Sequence, residues 1–189
     1  LSVIKADLTE WLRRLAQDLT WRPLAFELSF GVPPSNSNDR SSREEPVLLD
    51  SGLRLRGSID LVEVTGSTGE RVHRATDYKS GVVRTSPGFL IGGGEVLQPV
   101  LYALALEHLY SDTEEVRGLL DYCTSRGEFE RREMEVNQYA RRSVEVLTSS
   151  LAARLETGSF PAAPKEGACE DCDYRRICGP HEEFRTGRK

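Results

Sequence analysis

The segment DYKSG at residues 77–81 sets a carboxylate, a phenol and an ammonium in succession, and GSID at residues 57–60 ends on a second carboxylate. Asp77 and Lys79 are two apart, so on a strand they share one face. Asp60 heads the run DLVEV, on what reads as the preceding strand, after a glycine that lets the backbone bend. Two carboxylates from neighbouring strands can hold a hard cation through oxygen ligands. Such a cation polarises a phosphodiester and activates a water. Lys79 would orient or deprotonate that water, or neutralise the developing charge. Tyr78 points to the opposite face, which leaves its backbone carbonyl as a further metal ligand. An Asp and a Lys two apart are also a common solvated pair of small energetic value, and the tripeptide alone does not separate the two readings.

Two further groups carry chemistry. Gln98 and Tyr102 are spaced i, i+4 and share a helical face. An amide and a phenol there can hydrogen-bond phosphate or base and offer a stacking ring; a Tyr hydroxyl satisfied by the Gln is the plainer alternative. Cys169, Cys172 and Cys178 read C-x2-C-x5-C near the C-terminus, a spacing that suits a soft metal or cluster with a fourth ligand from elsewhere. Cys123 reads as a buried free thiol in a core strand. His181 would complete a structural zinc site with the three thiolates. His73 reads as a strand surface residue and His108 as the flank of a helix. The paired arginines at 131–132, 141–142 and 175–176 either line a track for phosphates or sit on solvated faces.

The elements that must position these residues follow from hydrophobic spacing. Ile4, Leu8, Trp11, Leu12, Leu15 and Leu19 predict an amphipathic helix over 3–19. PLAFELSFG (23–31) alternates as a strand, with Leu24, Phe26, Leu28 and Phe30 on one side and Glu27 facing away from them. Residues 32–46 read as a polar connection. Two or three strands in a meander follow to residue 81, then a Gly-rich loop over 86–95. A helix over 95–110 tolerates Pro99 in its first turn. A hairpin around SRGE lies within 116–136, and a last amphipathic helix covers 137–156. This order predicts an α/β domain with a mixed central sheet flanked by helices.

The chain of 189 residues carries a net charge of −5, so it lacks the global basic field that would hold a polyanion; any nucleic acid must be gripped by a local groove. No run is long and apolar enough to span a bilayer and the start does not resemble a signal peptide, which points to a soluble, cytoplasmic protein. The first residue is Leu1 and the only methionine is Met134, so the chain reads as N-terminally truncated.

GSID, DYKSG, QPVLY and CEDCDYRRIC, in that order, resemble the nuclease domain of the RecB and AddB helicase-nucleases, within the PD-(D/E)XK nuclease superfamily, and the CRISPR-associated nucleases that carry an iron-sulfur cluster. The resemblance implies a restriction-endonuclease-like core over residues 1–160 and a cysteine segment over 161–189 packed on it. It implies Mg²⁺- or Mn²⁺-dependent exonucleolytic hydrolysis of DNA, single-stranded above all, beside a helicase domain or subunit in repair or recombination. Asp60 and Asp77 would be metal ligands, Lys79 the catalytic lysine, Glu27 a further acid of the site, and Gln98 and Tyr102 the DNA-contacting pair. Cys169, Cys172 and Cys178 would hold a [4Fe-4S] cluster whose fourth cysteine lies upstream of Leu1, with Zn²⁺ as the alternative. The competing reading is a nuclease-like DNA-binding or assembly module that does not cut; a zinc-bound scaffold without DNA is the third.

Overall fold

A computed structural model describes residues 1–189 except positions 34, 36–38, 68, 95, 165, 166, 180, 181 and 187–189. The chain divides into two units, Leu1–Ser149 and Ser150–Lys189.

The first unit is built on a five-stranded sheet in the order β1 (Arg22–Phe30), β4 (Gly57–Thr65), β5 (Arg71–Lys79), β6 (Thr113–Tyr122) and β7 (Arg131–Glu135); β2 (Val47–Leu48) and β3 (Arg54–Leu55) form a separate small hairpin. All neighbours are antiparallel except β5 and β6, which run parallel. A parallel pair requires a crossover, and the helix α2 (Gln98–Leu109) supplies it. The expected mixed α/β sheet is therefore present.

Helix α2 is apolar on most sides, and Pro99, Val100, Ala103, Leu104, Ala105, Leu106 and Leu109 are all buried. At roughly 1.5–3 kcal/mol for each fully buried large aliphatic chain, this helix is a main source of stability. It packs on β5 and β6, and glycine sets how closely. A Cβ added to Gly118 of β6 would lie 2.4 Å from the Pro99 carbonyl oxygen, so the first turn of α2 rests directly on bare strand backbone. Around it Leu28, Phe30, Ile59, Val62, Ala75, Val116 and Met134 complete the core.

The strict alternation expected for β1 is broken. Ala25, Leu28 and Phe30 are buried while Leu24 and Phe26 are exposed. Glu27 has φ +51°, in the left-handed region that non-glycine residues rarely occupy, and the phase of the strand changes there. The partner strand changes phase at the same level. Ala25 pairs with Val62 and Leu28 with Ile59, and all four belong to one core. The residues between, Glu27 and Asp60, thus stand level with each other, beside the left-handed turn of β1.

The other face of the sheet is polar. Arg74, 2% exposed, donates to Glu63 at 2.9 Å and to Glu133 at 2.8 Å, and its guanidinium lies 4.0 Å above the ring of Trp21. Thr76 also donates to Glu63, at 2.7 Å. The predicted first helix is present as α1 (Ser2–Leu15), but none of its residues is buried, and Val3, Ile4, Leu8 and Leu12 are exposed. It is held by its edge: Trp11 packs edge-on against Tyr78 with ring centroids 5.2 Å apart, and Asp7 accepts the Ser125 amide at 3.2 Å. His73, expected at the surface, is instead 1% exposed, stacked on Tyr110 and hydrogen-bonded to Thr113 at 2.8 Å. The Tyr110 ring, just past the end of α2, covers the face to which His73 points.

Helix α3 (Gln138–Thr157) buries Ala140, Val144 and Thr148. The second unit contains the short helices α4 (Arg175–Cys178) and α5 (Glu182–Thr186), with the Arg185 guanidinium donating to the Cys178 carbonyl at 3.3 Å. Among the described residues no helix is long and apolar enough to cross a membrane.

Candidate active site

The β4–β5 backbone ladder stops at Leu61 opposite Thr76. Beyond it the Asp60 carboxylate takes the place of a backbone acceptor and receives the Tyr78 amide at 2.9 Å. This hydrogen bond fixes Asp60 against the strand that carries Asp77 and Lys79, so the two acids come from adjacent strands as expected.

Asp77 is 5% exposed. Burial pushes its carboxyl above the usual range; the Lys79 ammonium pulls it back down and the nearby Asp60 charge pushes it up. Its Oδ2 atom is enclosed, makes no hydrogen bond of good geometry and is ion-paired to Lys79 Nζ at 2.5 Å. Lys79 Nζ donates in turn to Gln98 Oε1 at 2.9 Å. An enclosed carboxylate oxygen whose compensation is a single movable ammonium, with a second carboxylate near enough to repel it, is a donor set that fits a hard divalent cation. Asp60 and Asp77 would hold that cation, with the rest of its shell left to water and substrate oxygens.

The i, i+4 pair on α2 reaches two different strands. Gln98 meets Lys79 at the end of β5, and Tyr102 lies over the start of β4, where a Cβ on Gly57 would be 3.0 Å from its ring and 3.3 Å from its hydroxyl. Phe30 meets the same ring edge-on at 6.3 Å. The glycine of GSID thus matters for contact, since a side chain there would crowd the tyrosine, while its backbone lies within the strand and outside the left-handed region. The plainer expectation for this pair, a Tyr hydroxyl satisfied by Gln, is replaced by an amide committed to the lysine.

Tyr78 faces the other side, as expected, into a buried acidic neighbourhood. Burial and the charges of Asp121, Glu63 and Asp60 push its phenol well above its ordinary range. Asp121, paired with Tyr78 across the strands, is 3% exposed and is itself pushed up by burial, with Arg131 and the neighbouring Trp11 indole offsetting part of the effect.

Glu27 is exposed and stands level with Asp60 on the edge strand. Among the described residues no three His, Cys, Asp or Glu side chains converge on one metal-sized point, so Glu27 is not gathered with the two aspartates. The same holds for Cys169, Cys172 and Cys178, which are half-buried and in no disulfide. As placed, they do not fit a closed soft-metal site, and no chemistry here runs through one. His181 lies outside the described residues. Cys123 is half-buried rather than buried, beside the site: its amide donates to the Lys79 carbonyl at 3.0 Å, and burial pushes its thiol up. Of the paired arginines, Arg131 is bound to Asp18, Arg132 to Glu130, Arg141 to Glu107 and Arg142 to Glu145, which leaves these four committed within the chain.

One part of the site had no signal in the sequence. Arg84 and Thr85, in the connection after β5, join Lys79 and Gln98 around a cavity of about 310 Å³. The stretch VVRTSPG reads as an ordinary loop.

A family model described as the PD-(D/E)XK nuclease superfamily matches residues 2–179. No curated protein matches the chain.

Proposed function

The chain belongs to the PD-(D/E)XK nuclease superfamily, whose members are generally nucleases, and from that premise we propose that it is a divalent-metal-dependent DNA exonuclease domain, acting on single strands within a helicase-nuclease of repair or recombination. The observation that carries this reading is the enclosed Asp77 carboxylate beside Asp60, ion-paired to a lysine that α2 holds through Gln98.

Bound Mg²⁺ or Mn²⁺ would supply Lewis acidity at the scissile phosphate and lower the pKa of a water. The chain's own residues do the rest. Asp60 is oriented by the Tyr78 amide and Asp77 by its burial between strands, so the two carboxylates present charge at a preset separation. Lys79 ends in an ammonium that bridges Asp77 and Gln98, a position from which it would serve a water or phosphate oxygen on that side. Gln98 positions the lysine, and Tyr102 offers its exposed edge to the strand. Glu27 enters as an outlying acid at the kink, reaching the site through water. The Tyr78 carbonyl is kept as a candidate metal ligand.

The test is incubation of the protein with single-stranded and duplex DNA in Mg²⁺ or Mn²⁺, beside Asp77→Ala and Lys79→Ala. Metal-dependent release of nucleotides that both substitutions suppress is the expected result. DNA left intact with either metal, or cutting unchanged by the substitutions, defeats the catalytic reading, and binding without cutting would favour the non-cutting module. The [4Fe-4S] or zinc reading of Cys169, Cys172 and Cys178 stands apart, and iron and zinc analysis of anaerobically purified protein tests it; finding neither metal removes it.

A further inference from the structure

The cavity beside Lys79 is lined by Lys79, Arg84, Thr85, Leu97, Gln98 and Tyr122 among others, and none of its described lining residues is acidic. Its charged lining groups, Lys79 and Arg84, are both cationic, in a protein of net charge −5. Two further features converge on it. The N-terminus of α2 opens onto it through Leu97 and Gln98, and among the described residues no side chain caps that helix end; Pro99 has no N–H to give, but the remaining first-turn amides and the helix dipole favour an anion there. Thr85 is 8% exposed, and its enclosed hydroxyl has no hydrogen-bond partner. An enclosed hydroxyl left unpaired costs about 1–3 kcal/mol, which a ligand oxygen would recover. Valine, leucine and tyrosine side chains form the rest of the wall, so the cavity offers an anionic group a cationic end and an apolar flank.

We infer that this cavity is a phosphate subsite, in which Arg84, Thr85 and the first turn of α2 bind a phosphate of the DNA strand next to the one that is cut. The inference rests on the nuclease reading for the identity of the ligand. Lys79 and Gln98 are shared between the two places, so a phosphate seated here sets the register of the strand on the metal site. Arg84 and Thr85 are binding residues, one by charge and one by a hydroxyl that accepts or donates to a phosphate oxygen.

Binding is read without cleavage, in Ca²⁺, with fluorescent octathymidylates that carry a 5′-phosphate, a 5′-hydroxyl, or a neutral methylphosphonate at one linkage at a time. Arg84→Ala and Thr85→Val are each expected to weaken binding about 3- to 30-fold, and Arg84→Ala to reduce the salt slope by about one. One phosphate position should weaken the wild type by a similar factor when neutralised and have little effect in the Arg84→Ala protein, because the two partners have one interaction between them. Coupling to the 5′-phosphate assigns a terminal phosphate, and coupling to a linkage assigns the continuing backbone; both support the subsite. If no position couples, or if the oligonucleotides do not bind and inorganic phosphate leaves the Thr85 amide resonance unmoved, the subsite is refuted. The nuclease reading fails separately. A protein that shows the coupling yet cuts nothing in Mg²⁺ or Mn²⁺ keeps the subsite and loses the catalysis. One that cuts normally with both substitutions in place loses the subsite alone.

Discussion

Replacing Gly118 by alanine adds one methyl group where the structure has no room for it. The new Cβ would meet the Pro99 carbonyl oxygen at 2.4 Å, its carbon at 2.6 Å and the Pro99 Cβ at 2.7 Å, against 3.4 Å or more in ordinary contact. All three obstacles are backbone or a proline ring, so no side chain can rotate away. Relief requires α2 and β6 to separate by roughly 1 Å, at the upper end of the ~1–3 kcal/mol that overpacking costs. With a urea m-value of about 2 kcal/mol/M, the unfolding midpoint should fall by roughly 1–1.5 M. The displacement also carries Gln98 away from Lys79, whose hydrogen bond is 2.9 Å long, and a shift of ~1 Å at a catalytic group can cost about 100-fold in rate. Gly81→Ala is the control, because nothing lies within 4 Å of a Cβ there. Wild-type midpoint and slope in Gly118→Ala would refute the packing argument, and lost stability with full activity would refute the link from α2 to the lysine.

Three other expectations follow from the same structure. Arg74→Ala leaves Glu63, 6% exposed, without its counter-charge, and should cost about 3–5 kcal/mol in urea unfolding, whereas Arg74→Met with Glu63→Leu should recover much of it. Asp121 has its pKa raised by burial, so its ionisation opposes folding as pH rises from the ordinary carboxylate value through the raised one. The stability of Asp121→Asn relative to wild type should therefore increase from pH 4 to pH 7, and a gap that stays constant or narrows would contradict this. Because the Asp77 carboxyl is likewise raised, a proton competes with the metal below its pKa; Mn²⁺ affinity measured by titration calorimetry should fall on acidification, and less so in Asp77→Asn, whose residual affinity is weak at every pH.

The sequence was most legible where turn chemistry or apolar density marked an element. The turn at SRGE separates β6 from β7, and the apolar density of QPVLYALALEHL marks α2. It misled where backbone conformation overrode pattern. The row Leu24, Phe26, Leu28, Phe30 has a strand period, but the left-handed φ at Glu27 turns Phe26 outward, and no residue type announces a positive φ at a glutamate. His73 was misplaced because a histidine beside an arginine looks like surface, whereas Tyr110 and Thr113, distant in sequence, close over it. Within the site, Asp60, Asp77, Lys79 and Gln98 were legible as a set because their spacing follows the strands and helix that carry them. Arg84 and Thr85 were not, since a loop has no period and only the folded backbone brings them to the end of α2. Likewise the close C-x2-C-x5-C spacing brings three thiols near in sequence without making them converge in space.

The crossover between β5 and β6 has a kinetic consequence. Because α2 begins near where β5 ends, the two aspartates, the lysine and the amide all fall within residues 57–98, and the hydrogen bonds from Tyr78 to Asp60 and from Lys79 to Gln98 join residues only 18 and 19 apart. Contacts of short sequence separation need little loop closure and form early. In a refolding experiment read by pulsed hydrogen exchange, amides of β4, β5 and α2 should be protected in one early phase. The edge strand β1, whose pairings with β4 run from Phe30–Gly57 to Arg22–Val64 across the polar connection, should join later. The left-handed kink at Glu27 would then close on aspartates already in place, so the outermost acid is also the last to arrive.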